Sequence, residues 1–379
     1  MKSLVLYPYP LQFDGVSIQG EMLYKGLLEN KDTAFPCSRD AEIEKEWYYR
    51  YLKPDVCIGI GFWGDYPDII KHPKDHGIQP VPWLNADGWV SNYVDKLNEL
   101  PLILTTSEWV KQTYIRDGVS GKNIHPMPIG VDVDEMSPLP KNHPAVLEFR
   151  KMFGVREGRK MILTIGGDTT SKGSQEILKA LAKVDKEFND WVYVGKSWYC
   201  PEYHREEEQR IIKDYNLDES KIHFIEGPMS RNMMRAMLSA CDIYAAPSRI
   251  EGFGMIQVEA QACGKPVVSI DAMGIKDTVV NNKTGFLAKV GEEVKLTEEW
   301  VYQHQGFPRK MKIKFDEPKV FAVRADIDDL ANHLLSLLTD DSLCEKMGQS
   351  ALKHARQNFD YKKTSKDISD LIKAKLGLD

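Results

Sequence analysis

The stretch from Ile243 to Val268 narrows the choice of fold more than any other part of the chain. The apolar run Ile243-Tyr244-Ala245-Ala246 reads as a buried parallel strand. Pro247 and Ser248 stop it, and Gly252 and Gly254 bracket a tight turn. From Met255 the pattern turns helical, with Met255, Val258 and Ala262 on one face. Gly264 caps that helix and Pro266 follows it. A strand feeding a glycine loop that opens a helix is one unit of a doubly wound α/β sheet. Such a unit aims free backbone N–H groups and the positive end of a helix dipole at one spot, which suits an anion such as a phosphate.

Two carboxylates sharpen this reading. Glu251 lies in the loop just before the helix, and Glu259 lies on the helix itself. The positions three and four residues from Glu259 are Met255, Ile256, Ala262 and Cys263, so the helix offers it no cation. A carboxylate in apolar company needs another partner, because an unpaired buried charge is costly. A sugar or ribose diol, with two hydroxyl donors, fits that need; an ordinary solvated Glu is the alternative.

Glu251 and Glu259 enclose seven residues, with Gly-Phe-Gly after the first and Ala after the second, and the tail reads Ala262-Cys263-Gly264-Lys265-Pro266-Val267. This pattern resembles the signature of retaining glycosyltransferases of the GT-B fold, family 4. The resemblance is best from about residue 160 to 287. It implies two Rossmann-like doubly wound domains facing a central cleft. It also implies transfer of a sugar from a nucleotide-sugar donor, with retention at the anomeric carbon and no metal or other cofactor.

Composition is compatible with this. At 42% hydrophobic and 28% charged residues the chain is ordinary for a globular protein, and 379 residues suffice for about two domains. The first 140 residues hold 13 Lys+Arg against 20 Asp+Glu, which argues against a nucleic-acid platform or a broad polybasic membrane patch. No apolar run is long enough to span a bilayer. The start, Met1 to Pro8, is too short for a signal peptide and reads as a first strand. The six cysteines show no C-x-x-C pairing and read as reduced thiols of a cytoplasmic protein.

In the first half, short apolar runs at 3–7, 33–37, 56–60, 81–84, 102–106 and 124–127 alternate with helical patterns, which predicts a parallel sheet with ligands beyond the strand carboxyl ends. The loop after the first run contains Asp14 and Gly15 and resembles the family's glycine loop, which approaches donor and acceptor. Gly59-Ile60-Gly61-Phe62-Trp63-Gly64 matches a dinucleotide fingerprint. Bulky Phe62 and Trp63, and a following helix cut by His72-Pro73, argue against that use and for glycines at a strand end facing the cleft. Asn85 and Asp87 stand where relatives often have a His beside the reacting sugar, so both are acceptor-side candidates. Ser137 to Pro144 is proline-rich and polar, an interdomain linker.

The expected domains are 1–138, joined by a returning helix at 360–379, and 139–359. The second opens on a strand at 160–165 and the loop Gly166-Gly167-Asp168-Thr169-Thr170-Ser171-Lys172. Lys172 resembles the family's diphosphate lysine, whereas many relatives carry an Arg where this chain has Gly167. His204, Arg205, Arg231 and Arg249 are candidate replacements. Met229, in the loop after the strand at 223–226, resembles the position lying against the nucleotide base. Residues 291–321 interrupt the family pattern and read as a loop or small hairpin shaping acceptor choice or assembly, whose deletion leaves donor binding nearly unchanged.

These assignments give catalytic roles to Glu251 and Lys172. Gly15, Met229, Gly252, Phe253, Gly254, Met255 and Glu259 bind the donor, a UDP- or GDP-sugar, and a saccharide, glycolipid or other small molecule accepts the sugar. A sugar phosphorylase or epimerase on the same fold, and a catalytically inactive nucleotide-sugar-binding protein, are the rival readings.

Overall fold

The computed structural model describes residues 1–12, 14–86, 88–199 and 205–378. The chain divides into two compact units: residues 1–132, 295–321 and 358–379 form the first, and residues 133–294 with 322–357 form the second.

The first unit is built on six parallel strands, β1 (Lys2–Tyr7), β2 (Thr33–Ser38), β3 (Val56–Gly61), β4 (Gln79–Leu84), β5 (Ile103–Thr105) and β6 (Ile124–Pro126), in the order β2-β1-β3-β4-β5-β6. Five of the six residues in β1 and all six in β3 are buried, as expected for strands covered on both faces. The last helix, Tyr361–Leu376, packs against Gly15–Glu29, and Ser369 and Lys373 both reach Asp32. The glycines of the 59–64 segment are filled from within this unit. A Cβ on Gly59 would meet Ile69, one on Gly61 would meet Asp65, and one on Gly64 would meet Phe62. Trp63 is buried against Trp89, so the segment is a packing device and not a phosphate cradle.

The second unit repeats the plan with β7 (Lys160–Ile165), β8 (Trp191–Ser197), β9 (Ile222–Glu226), β10 (Ile243–Ala245), β11 (Val267–Ile270) and β12 (Gly285–Ala288), in the order β12-β11-β10-β7-β8-β9. Every pair in both sheets is parallel. No helix among the described residues is long and apolar enough to cross a membrane. Cys37, Cys57, Cys241, Cys263 and Cys344 are free thiols, and Cys200 lies outside the described residues.

The 291–321 segment is an ordered hairpin of β13 (Val290–Val301) and β14 (Met311–Ala325). Its outer part belongs to the first unit. Val301 is fully buried in that unit's core, with Met311, Ile313 and Phe315 packed around it. Lys319 pairs with Asp117 at 2.8 Å, and Asn92 donates to the Gln305 carbonyl at 2.9 Å. Deleting these residues therefore removes core of the first unit, so the deletion is expected to destabilise that unit.

Candidate functional site

In the second unit, two loops at strand carboxyl ends are locked together. The β10 loop leads into the helix Met255–Ala262, and the β7 loop leads into Ser174–Val184. The Arg249 N–H donates to the Ser171 carbonyl at 2.8 Å. Gly173 has φ +84°, and a Cβ there would lie 2.5 Å from the Pro247 carbonyl oxygen. Only glycine permits both that conformation and that approach. A third loop supports the turn: the Gly274 N–H donates to the Glu251 carbonyl at 3.0 Å, and a Cβ on Gly274 would lie 2.0 Å from the Gly252 carbonyl oxygen. Gly274→Ala is therefore expected to displace the turn and destabilise the protein by about 1–3 kcal/mol. Thermal unfolding with and without nucleotide measures this, and an unchanged melting curve would show that the turn adapts freely.

This locking brings Lys172 and Glu251 together. Lys172 Nζ lies 2.5 Å from Glu251 Oε2, and Glu251 Oε1 accepts from the Gly254 N–H at 3.1 Å. Gly254, at φ +94°, opens the Met255–Ala262 helix. The Glu251 carboxylate thus occupies the spot where helix N-terminus and lysine converge, which is where an anion is expected to bind. Phe253 is buried, and Gly252 and Met255 flank it half-buried on the same turn.

Glu259 follows on the same helix and is fully buried. Its partner comes from another helix: Arg231, at the start of Arg231–Ala240, donates to Glu259 Oε1 at 2.7 Å and to Glu135 Oε2 at 3.0 Å. Burial opposes the Arg231 charge, yet Glu259 and Glu135 outweigh it and hold the guanidinium above its usual range. Glu259 Oε2 has no hydrogen-bond partner among the described residues. An acceptor buried without a donor is costly to leave unmet, so it suits a hydroxyl brought by a ligand.

The three described arginines considered for the place of Gly167 are engaged elsewhere. Arg231 holds Glu259, Arg249 holds Glu176 at 2.9 Å and Gln175 at 2.6 Å, and Arg205 pairs with Glu226 at 2.7 Å. His204 lies outside the described residues. Met229 is half-buried before Ser230, whose side chain caps the Arg231–Ala240 helix. A cavity of about 840 Å³ lined by Arg150, Arg159, Lys160 and Asp242 lies at the opposite, amino-terminal ends of β7 and β10. Its position is the wrong end of a parallel sheet for a ligand of this kind.

In the first unit, Asp14 caps the Gly15–Glu29 helix by accepting from the Ser17 N–H at 2.9 Å, and Gly15 is that helix's first residue. Asn85 donates to Gln19 Oε1 at 3.1 Å, leaving Gln19 Nε2 buried without a partner among the described residues. Asp87 lies outside the described residues.

Residues 146–315 match the family described as glycosyl transferases group 1. A D-inositol 3-phosphate glycosyltransferase of Xylanimonas cellulosilytica is 30% identical over 187 residues, 49% of this chain and 44% of that protein. A GDP-mannose-dependent alpha-(1-6)-phosphatidylinositol monomannoside mannosyltransferase of Mycolicibacterium smegmatis is 25% identical over 197 residues, 50% of this chain and 49% of that protein. The chain spans about half the length of the curated relatives it matches. Among solved structures, Anabaena Alr3699/HepE in complex with UDP and glucose superimposes with a TM-score of 0.73 at 15% identity, over 99% of this chain and 100% of that one. Sucrose-phosphate synthase from Thermosynechococcus elongatus does so with a TM-score of 0.73 at 14% identity, over 100% of both chains. At such identities the likeness concerns the fold. The signature around Glu251 and Glu259 lies inside the segment that matches the glycosyl transferases group 1, and the chain has the two Rossmann-like domains of the GT-B fold.

Proposed function

We propose that this protein is a retaining glycosyltransferase that moves a sugar from a UDP- or GDP-sugar to a hydroxyl of a saccharide, glycolipid or other small acceptor. The observation that carries the reading is the arrangement in the second unit. An anion position at a helix N-terminus, beside Lys172, stands next to a buried Glu259 with one open oxygen. A diphosphate displaces the Glu251 carboxylate from the turn and takes up Lys172, while a ribose hydroxyl donates to Glu259 Oε2. Glu251, released, orients the donor sugar and faces the positive charge of an oxocarbenium-like transition state. Charge growing on the departing diphosphate is met by Lys172 and the turn N–H groups, and preorganised donors of this kind are the main lever on such a step. The acceptor attacks on the face the diphosphate leaves, and a phosphate oxygen takes its proton. The names of the relatives, which include a GDP-mannose-dependent enzyme, support a nucleotide-sugar donor.

Catalysis that rests on Lys172 and the turn N–H groups needs no metal, so the reaction is expected to survive chelation by EDTA. The test is release of free nucleotide from UDP- and GDP-sugars over a panel of saccharides and glycolipids, with the anomeric configuration of the product read by NMR. Acceptor-dependent release with retained configuration supports the reading. Release without acceptor, an inverted product, or complete loss of activity on chelation contradicts it.

A further inference from the structure

Lys196, next to last in β8, is a charged group that the site described above does not use. The residue is 4% exposed; its ammonium makes no hydrogen bond or ion pair among the described residues and is not among their fully buried polar atoms, so the stem is buried and the charged end reaches the surface. Burial pushes that ammonium below the usual lysine range. An ammonium held at the end of a buried stem and bonded to none of the described residues is placed to donate to an acceptor that arrives from outside.

The pleat fixes where it points. A Cβ on Gly195 would meet Phe224 and Thr169, so Lys196 faces the other side of the sheet. Its register neighbours there are Ile165 and Ile225. On the same face, two residues before Ile225, the His223 ring meets Phe153 at the end of the Pro144–Met152 helix. That helix packs on Arg231–Ala240, whose Arg231 holds Glu259. Lys196 and Glu259 therefore share one side of the sheet. The strands run β10, β7, β8, β9 across it, with the Lys172–Glu251 turn at the ends of β7 and β10 and the Met229 loop after β9.

On the nucleotide-sugar reading, a base that reaches from a diphosphate at the turn toward the Met229 loop passes the end of β8, which lies between β7 and β9. Resting on the nucleotide-sugar reading above, we propose that Lys196 donates a hydrogen bond to a carbonyl oxygen of the donor's base. It thereby selects uridine or guanosine nucleotides over adenosine nucleotides. Adenine presents an amino group where guanine presents its carbonyl, and two donors cannot pair. The sequence signal was a lysine at the end of an apolar strand, which reads on its own as an exposed strand terminus.

The test is calorimetric titration of UDP, GDP and ADP into the wild type and Lys196→Met, with Lys196→Gln as the second variant should the first fail to fold. The wild type is expected to bind UDP or GDP at least about tenfold more tightly than ADP. In Lys196→Met the affinity for the preferred nucleotide falls about 10- to 100-fold, as for loss of a charge-assisted hydrogen bond, and that for ADP changes little. Unchanged affinities in the variant overturn the proposal. An equal loss for all three nucleotides also overturns it, since Lys196 would then serve the phosphates. A wild type that binds none of them fails at the earlier step: it removes the nucleotide-sugar reading itself, and this proposal with it.

Discussion

Lys172→Ala is expected to lower turnover about a hundredfold, the range seen when one preorganised donor to a developing anion is removed. The loss should fall mainly on kcat, because charge on the diphosphate grows as the bond to the sugar breaks. The fold should persist. Glu251 keeps its hydrogen bond from Gly254, and neither Lys172 nor Glu251 is deeply buried. Steady-state kinetics beside a melting curve separate the two effects. A variant with near-normal kcat would show that the lysine merely neutralises Glu251.

Val301→Asp is expected to be among the most destabilising single changes in the first unit. Val301 is fully buried in that unit's core, so a carboxylate there is set into an apolar cluster. The cost of an unpaired buried charge puts the loss at about 4 kcal/mol. Thr297→Asp, on an exposed position of the same strand, should stay within about 0.5 kcal/mol. Denaturant unfolding of both variants checks this. Equal stabilities would mean that the hairpin does not contribute to the core.

The two sheets were legible because their strands are short apolar runs whose ends carry Gly, Pro and polar residues. The β7 strand, Lys160–Ile165, falls where the sequence places it, and β1 gains one residue. The side-chain pairs of the site were not legible in the same way. Lys172 and Glu251 are 79 positions apart and Arg231 and Glu259 are 28 apart, so only the packing of separate loops and helices brings them together. The sequence reading considered Arg231 for a phosphate, whereas burial of Glu259 recruits it as a counter-ion. The hairpin did carry a signal. Met311, Ile313 and Phe315 alternate with Lys312 and Lys314, the period of a strand with one buried face, and the density of basic residues obscured it.

The most direct test of the account is calorimetric titration of UDP and GDP into the wild type and Glu259→Ala. Arg231 keeps Glu135 in the variant, so the protein is expected to remain folded. The account predicts that at least one of the two nucleotides binds the wild type and that the variant binds it about tenfold or more weakly, the cost of losing a hydroxyl-to-carboxylate hydrogen bond. Equal dissociation constants in the two folded proteins would contradict it.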